Sequence, residues 1–210
     1  MSIILARGGS KGIKDKNITI LKGKPLIYYS INASNLSRVD HTWVSTDSAK
    51  IKNIAIENGC EVLDRPKKYA TDQSKSEESL IHFSKNVDFD ILVFIQPTSP
   101  LILYSDINEG LEMMNNYDSI FSAYAEHWLP RWTKSNNALN WEINKRPMRQ
   151  DIDDCYVENG AFYITTKKNL EKSGLRYSGK IGIYKMPFSR SFQVDTLDDL
   201  LLIEKVMSTE

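Results

Sequence analysis

The chain has 210 residues, with 27 basic and 27 acidic side chains. That length suits one domain with its own core, and zero formal net charge supplies no global field to attract nucleic acid or an anionic membrane surface. No apolar run approaches the roughly 20 residues of a membrane helix and no secretory leader pattern precedes Arg7, so a soluble, cytoplasmic protein is expected, with Cys60 and Cys155 as free thiols.

In chain order, "SIIL" predicts a first strand and "PLIYYSINASNL" a helix with Pro25 at its first turn. "HTWVST" predicts a second strand. "DSAKIKNIAIENG" predicts a helix capped by Asp47 or Ser48 and closed by Gly59. "CEVLDRP" is a third strand, and "SKSEESLIHFSKNV" a helix with Ser76 and Ser79 near its start. "DILVFIQP" is apolar on both faces, as a strand buried on both sides must be, and is stopped by Pro97. The helix "SDINEGLEMMNN" and the strand "DSIFSAY" follow. This alternation predicts an α/β, Rossmann-like domain: a mostly parallel sheet with helices on both faces.

The rhythm breaks after Tyr124. Residues 126–154 hold Trp128, Trp132 and Trp141, two prolines, an "SNNALN" turn, and Arg146 and Arg149. They read as an arm inserted in the single domain 1–210, either a local tryptophan cluster or, by its Trp and Arg content, a dimerisation surface. "VENGAFYITT" and "IGIYKMP" regain strand character, and "TLDDLLLIEKVM" is a closing helix with Thr196 as cap.

In an open α/β sheet, ligands bind beyond the carboxyl ends of the strands. "LARGGSKGIKDKN" lies there, directly after the first strand. Between Met1 and Lys24 there are six basic residues against Asp15 alone, and Gly8, Gly9 and Gly12 free the backbone to bring N–H groups to an anion. A polyphosphate is the expected guest, although neither GxGxxG nor GxxxxGK[ST] is present. His41, His82 and His127 are scattered without partners at catalytic or ligand spacing, which argues against hydrolase chemistry.

The loop "ILARGGSKGIKDKNI" resembles the signature of the N-acylneuraminate cytidylyltransferases. Further similar blocks follow in order: "VSTD", "RPKKYATD", "IQPTSPL", "RQDIDDCYVENGAFYI" and "VDTLDDL". The resemblance implies a GT-A-like nucleotidyltransferase fold. It also implies CTP and a nine-carbon α-keto sugar acid as substrates, magnesium as cofactor, and a homodimer. For CTP it implies Arg7, Gly8, Ser10, Lys11, Lys16, Asn17, Arg65, Ser74 and Ser76, with Ser74 and Ser76 alternatively serving as helix caps.

For the sugar it implies Gln96, Thr98, Ser99, Arg149, Tyr156, Glu158 and Asn159. Arg149 would grip the sugar's carboxylate from a partner subunit's arm, or else pair locally with Asp151 or Asp153. Arg7, Lys16 and Asp195 are the expected catalytic residues, and Asp195 the magnesium ligand. Relatives usually carry a second aspartate where this chain has Gln193. That departure keeps open a nucleotide-binding module with weak or lost catalysis. A transferase for the eight-carbon sugar acid of lipopolysaccharide (a CMP-Kdo-type synthetase) is a further alternative.

Overall fold

The computed structural model describes residues 1–10, 12–127, 129–153 and 155–208. Trp128 and Lys11, singled out above, lie outside them.

Strands β1 (Ser2–Leu5), β4 (Thr42–Thr46), β5 (Glu61–Asp64) and β6 (Ile91–Ile95) pair in parallel. Each has apolar side chains pointing both ways: Ile4, Val93 and Ile95 enter one core cluster, Ile3, Leu92 and Phe94 another. Period-two alternation with no polar face requires cover on both sides. The cover is α1 (Leu26–Asn35), α2 (Ala49–Glu57) and α4 (Tyr104–Met113) on one face, and α3 (Ser76–Ser84) and α5 (Lys167–Ser173) on the other.

With β7 (Ser119–Glu126), β8 (Cys155–Thr166) and β9 (Ile181–Lys185), the sheet has seven strands in the order β5-β4-β1-β6-β8-β7-β9. β8 runs antiparallel to both neighbours because the chain returns from β7 through the arm rather than through a crossover helix. A third cluster packs α6 (Leu197–Val206) through Ile203 against Leu26, Leu21 and Val194. Among the described residues, no helix is long and apolar enough to cross a membrane.

Several local expectations need correction. The glycine-rich loop ends in a small hairpin, β2 (Ile20–Leu21) with β3 (Lys24–Pro25), turned by Lys22 and Gly23 at φ 47° and 79°. The helix α5 was not anticipated, although Thr166 accepts a hydrogen bond from the Asn169 N–H as its cap and Gly174 closes it at φ 69°. Ser48 stands at the cap position of α2 without a side-chain cap bond. Neither Ser74 nor Ser76 caps α3; Lys75 holds that position, and its N–H donates to Glu78 at 2.9 Å.

The arm springs from the ends of β7 and β8, where Glu126 opposes Cys155. Among the described residues a single bridge, Trp132 with Ala138, has hairpin character, and two 3₁₀ turns follow. Trp132 and Trp141 meet edge-to-face at 5.1 Å between centroids, and the Arg146 guanidinium lies 5.2 Å over Trp141. No described residue of 126–153 is buried.

Candidate active site

A cavity of about 650 Å³ opens at the carboxyl ends of β1, β5 and β6, a volume typical of sites for small ligands. The glycine-rich loop contributes Arg7, Ser10, Gly12, Lys16 and Asn17; the segment between β5 and α3 contributes Arg65, Ser74, Lys75 and Ser76; β6 and its turn contribute Phe94, Gln96, Pro97 and Thr98. Asp195, just before α6, closes the rim.

The loop is held by bonds to β4 and to itself. Ala6 N–H donates to the Ser45 carbonyl at 3.0 Å, Asn17 Nδ2 donates to the Arg7 carbonyl at 3.0 Å, and Gly8 N–H donates to Asp47 Oδ1 at 2.8 Å. Asp47, considered above only as a helix cap, instead pins the loop. Gly8 itself does not line the cavity; its backbone donor is already spent on Asp47, and its Cα sits so close to Ser48 that a Cβ there would come within 3.0 Å. Asn17 is buried, and its amide braces Arg7.

The cations converge on the cavity and each has a carboxylate partner or a buried anchor. Arg7 Nη2 pairs with Asp72 at 2.6 Å and its Nη1 donates to the Ala70 carbonyl at 3.4 Å. Lys16 Nζ pairs with Asp195 Oδ1 at 3.0 Å. Arg65 is buried beneath them, donating from Nη2 to the Ser45 carbonyl at 2.6 Å and from Nε to Ser45 Oγ at 3.1 Å. Burial pushes the Arg65 guanidinium down to about 10, against the attraction of Asp47 and with the repulsion of Arg7. It stays charged at neutral pH, so a permanent cation lies under the pocket floor.

Ser74 and Ser76 both reach the cavity, with the Ser74 hydroxyl also tied to the Lys68 carbonyl at 3.0 Å. Tyr69, Thr71, Asp72 and Ser79 line it too. These were legible only as members of the "RPKKYATD" stretch and its sequel, where nothing about each residue alone marks a ligand contact.

The sugar-side set divides. Gln96 and Thr98 line the cavity; Ser99, Arg149, Tyr156, Glu158 and Asn159 do not. Ser99 is 2% exposed, inside the turn that follows β6. Asn159 is a brace: its Oδ1 accepts from Ser122 Oγ at 2.6 Å and its Nδ2 donates to Ser191 Oγ at 3.0 Å. It sits in the bulge that shifts the β7–β8 register, beside Gly160 at φ 67°. Glu158 accepts hydrogen bonds from the hydroxyls of Tyr163 and Tyr177. Tyr156 lies under the Lys185 ammonium. Arg149, in the arm, makes no ion pair with Asp151, Asp153 or any other described residue.

Gln193 also has a structural task. Its Nε2 donates to the Asn159 carbonyl, and the pair packs against Gly160 and Gln96. The amide is therefore turned toward the β8 bulge. Among the described residues, no group of three or more His, Cys, Asp or Glu side chains is placed to hold a metal ion.

The sequence profile of a family described as "Cytidylyltransferase" matches residues 1–208. The chain belongs to the cytidylyltransferase family. As a cytidylyltransferase it is 38% identical over 204 residues to N-acylneuraminate cytidylyltransferase B of Danio rerio, covering 92% of this chain and 48% of that protein. It is 33% identical over 210 residues to N-acylneuraminate cytidylyltransferase of Streptococcus agalactiae serotype V, covering 95% of this chain and 51% of that protein. The chain thus spans about half the length of these two relatives. The structure of a CMP:2-keto-3-deoxy-manno-octonic acid synthetase complexed with CTP shares the fold, with a TM-score of 0.75 at 18% identity, over 99% of this chain and 98% of that one.

Proposed function

We propose that this cytidylyltransferase couples CTP to a nine-carbon α-keto sugar acid of the sialic type, releasing pyrophosphate and forming the CMP-sugar. The observation that carries the reading is the convergence of Arg7, Lys16 and Arg65 on one cavity behind the first strand, in a chain with no net charge. The two N-acylneuraminate cytidylyltransferases above support the sugar class.

In this reading the triphosphate enters over the glycine-rich loop, and its oxygens replace Asp72 at Arg7 and join Asp195 at Lys16, whose ammonium has three donors. Both cations are already oriented, so little rearrangement accompanies binding. The sugar's anomeric hydroxyl attacks the α-phosphorus and gives up its proton to solvent, and the bond to the β-phosphate breaks as pyrophosphate leaves. Arg7, planar and permanently charged, takes up the negative charge that grows on the departing pyrophosphate. Arg65, Ser74 and Ser76 face the base, and Gln96 and Thr98 meet the sugar hydroxyls.

The donor set fits magnesium with one protein carboxylate: Asp195 spends Oδ1 on Lys16 and its side chain is 68% exposed, leaving an oxygen to share with phosphates. Bound there, magnesium would neutralise phosphate charge. We further infer a cytoplasmic homodimer in which the arm, residues 126–154, completes the partner's sugar pocket. Among the described residues Arg149 has no ion-pair partner, and Leu129, Trp132, Leu139 and Ile143 of the arm are more than half exposed. An arginine offered from the neighbouring arm would meet the sugar's carboxylate in a two-point contact.

Calorimetry of CTP with wild type and Arg7→Ala tests the nucleotide half. Wild type should bind CTP, and the variant should bind at least tenfold more weakly, the loss expected for a charge-assisted contact of roughly 1.5–3 kcal/mol. Equal binding would refute the role of Arg7. Gln193, a neutral side chain where the resemblance implies a second aspartate, favours a second reading, a nucleotide-binding module without efficient turnover. CTP binding with no pyrophosphate from any sugar acid would establish that reading instead.

A further inference from the structure

The link from β9 to α6 carries Asp195 into the cavity rim, and part of its fastening lies outside the cavity lining. Its strongest fastening is an ion pair buried between α4 and the link. Asp106 is 1% exposed, and Arg190, in the 3₁₀ turn Phe188–Arg190, grips it with both terminal nitrogens, Nη2 at 2.8 Å from Oδ1 and Nη1 on Oδ2. The same guanidinium donates to the Leu101 carbonyl at 3.3 Å, in the turn after "QPTSP". Asp106 also accepts the Leu103 N–H at 2.8 Å, at the start of α4, and the Tyr184 hydroxyl of β9 at 3.0 Å.

One carboxylate thus joins α4, β9, the sugar-side turn and the link. Four residues further on, Val194 N–H donates to the Thr98 carbonyl at 2.8 Å, and Asp195 follows at once. The forked geometry is what makes this a device of position as well as attraction, since a guanidinium bound at two points to a carboxylate has no freedom to rotate. The carbonyl of Asp195 in turn abuts Gly12 of the glycine-rich loop, and its carboxylate holds Lys16.

We propose that Arg190, locked on Asp106, is a positioning residue that sets the height of Asp195 at the cavity rim, and with it the divalent cation and Lys16. The inference rests on the cytidylyltransferase reading of the cavity. It concerns a pair that touches neither nucleotide nor sugar, and its effect is transmitted through the few residues between Arg190 and Asp195.

The test uses the full chain with manganese as the probe, titrated in the presence of CTP and read by loss of the free-ion electron paramagnetic resonance signal. Arg190→Lys keeps the charge but loses the fork. It should raise the manganese concentration for half-saturation about tenfold, as loss of a residue supporting a ligand does. It should also lower kcat while KM for CTP stays within about twofold, because Arg7, Arg65, Ser74 and Ser76 lie on segments outside the displaced link. A role in packing alone would lower the melting temperature and leave the manganese titration where it was; that result would overturn the proposal.

If the lysine variant does not fold, Asp106→Asn, which keeps the size and the acceptor for Leu103, carries the same expectation and the same refutation. Asp195→Asn is measured alongside. Wild-type manganese binding in that variant would overturn the reading of the rim itself. Lost binding in Asp195→Asn with none of the expected shift in the Arg190 variant would overturn only the positioning role.

Discussion

Replacing Gly12 by alanine probes the contact on which the site's closure depends. A Cβ at Gly12 would lie 2.7 Å from the Asp195 carbonyl oxygen, whereas ordinary contact begins at 3.4 Å. The neighbour is backbone, so no side chain can swing aside, and the glycine-rich loop and the Asp195 segment must part by about 0.7 Å. That displacement falls on the 3.0 Å contact between Lys16 and Asp195. A misplacement on the order of 1 Å near reacting groups costs roughly a hundredfold in rate, so Gly12→Ala should lose between about tenfold and a hundredfold in kcat. Gly9→Ala is the matched control, because a Cβ there meets nothing within 4 Å; it should stay within about twofold. Pyrophosphate release from CTP with a sialic-type sugar is the assay, with circular dichroism to verify folding. Wild-type turnover in Gly12→Ala would refute the claim that loop and rim act as one unit.

Gln193→Asp tests whether the departure from the family pattern is structural: the carboxylate cannot donate to the Asn159 carbonyl, so the variant should be destabilised by about 1–3 kcal/mol in urea unfolding. Unchanged stability would show that the bond contributes nothing. Thr196→Ala removes the hydroxyl that accepts the Asp199 N–H at the start of α6 and should cost about 1 kcal/mol, seen as a fall of roughly 2–4 °C in melting temperature; no fall would remove the cap from the account. Glu77 is desolvated, which raises its pKa, but its bonds to Arg176 outweigh that and hold it below the ordinary 4.5. A carboxylate so depressed stabilises the fold above its unfolded pKa and loses that contribution as pH falls through the folded value. The stability gap between wild type and Glu77→Gln should therefore be full at pH 7 and shrink below about pH 4.5, and a gap independent of pH would contradict the sign.

The parallel half of the sheet was legible because its strands are short, apolar on both faces and separated by capped helices; "ILVFI" can be little else. The glycine-rich loop was legible from charge density beside backbone freedom. The rest was not legible, for physical reasons. Asp47 and Asn17 act through bonds to the loop's backbone, and sequence says nothing of which carbonyl or N–H a side chain will meet. Asn159 also braces the bulge in β8, a feature set by pairing between distant strands that "VENGAF" does not announce. The Asp106–Arg190 pair joins residues that nothing local associates. Asp106 looks like an ordinary first-turn helix acid, and Arg190 like a surface cation in a polar link. The arm is weakly patterned because no described residue in it is buried, and burial is what writes periodicity into a sequence.

The most direct measurement of the central claim is phosphorus NMR of the protein with CTP, magnesium and a nine-carbon α-keto sugar acid. The CTP resonances should decline while pyrophosphate and a phosphodiester resonance of the CMP-sugar grow in equal amounts. Intact CTP with every such sugar, or pyrophosphate without the matching phosphodiester, would contradict that claim.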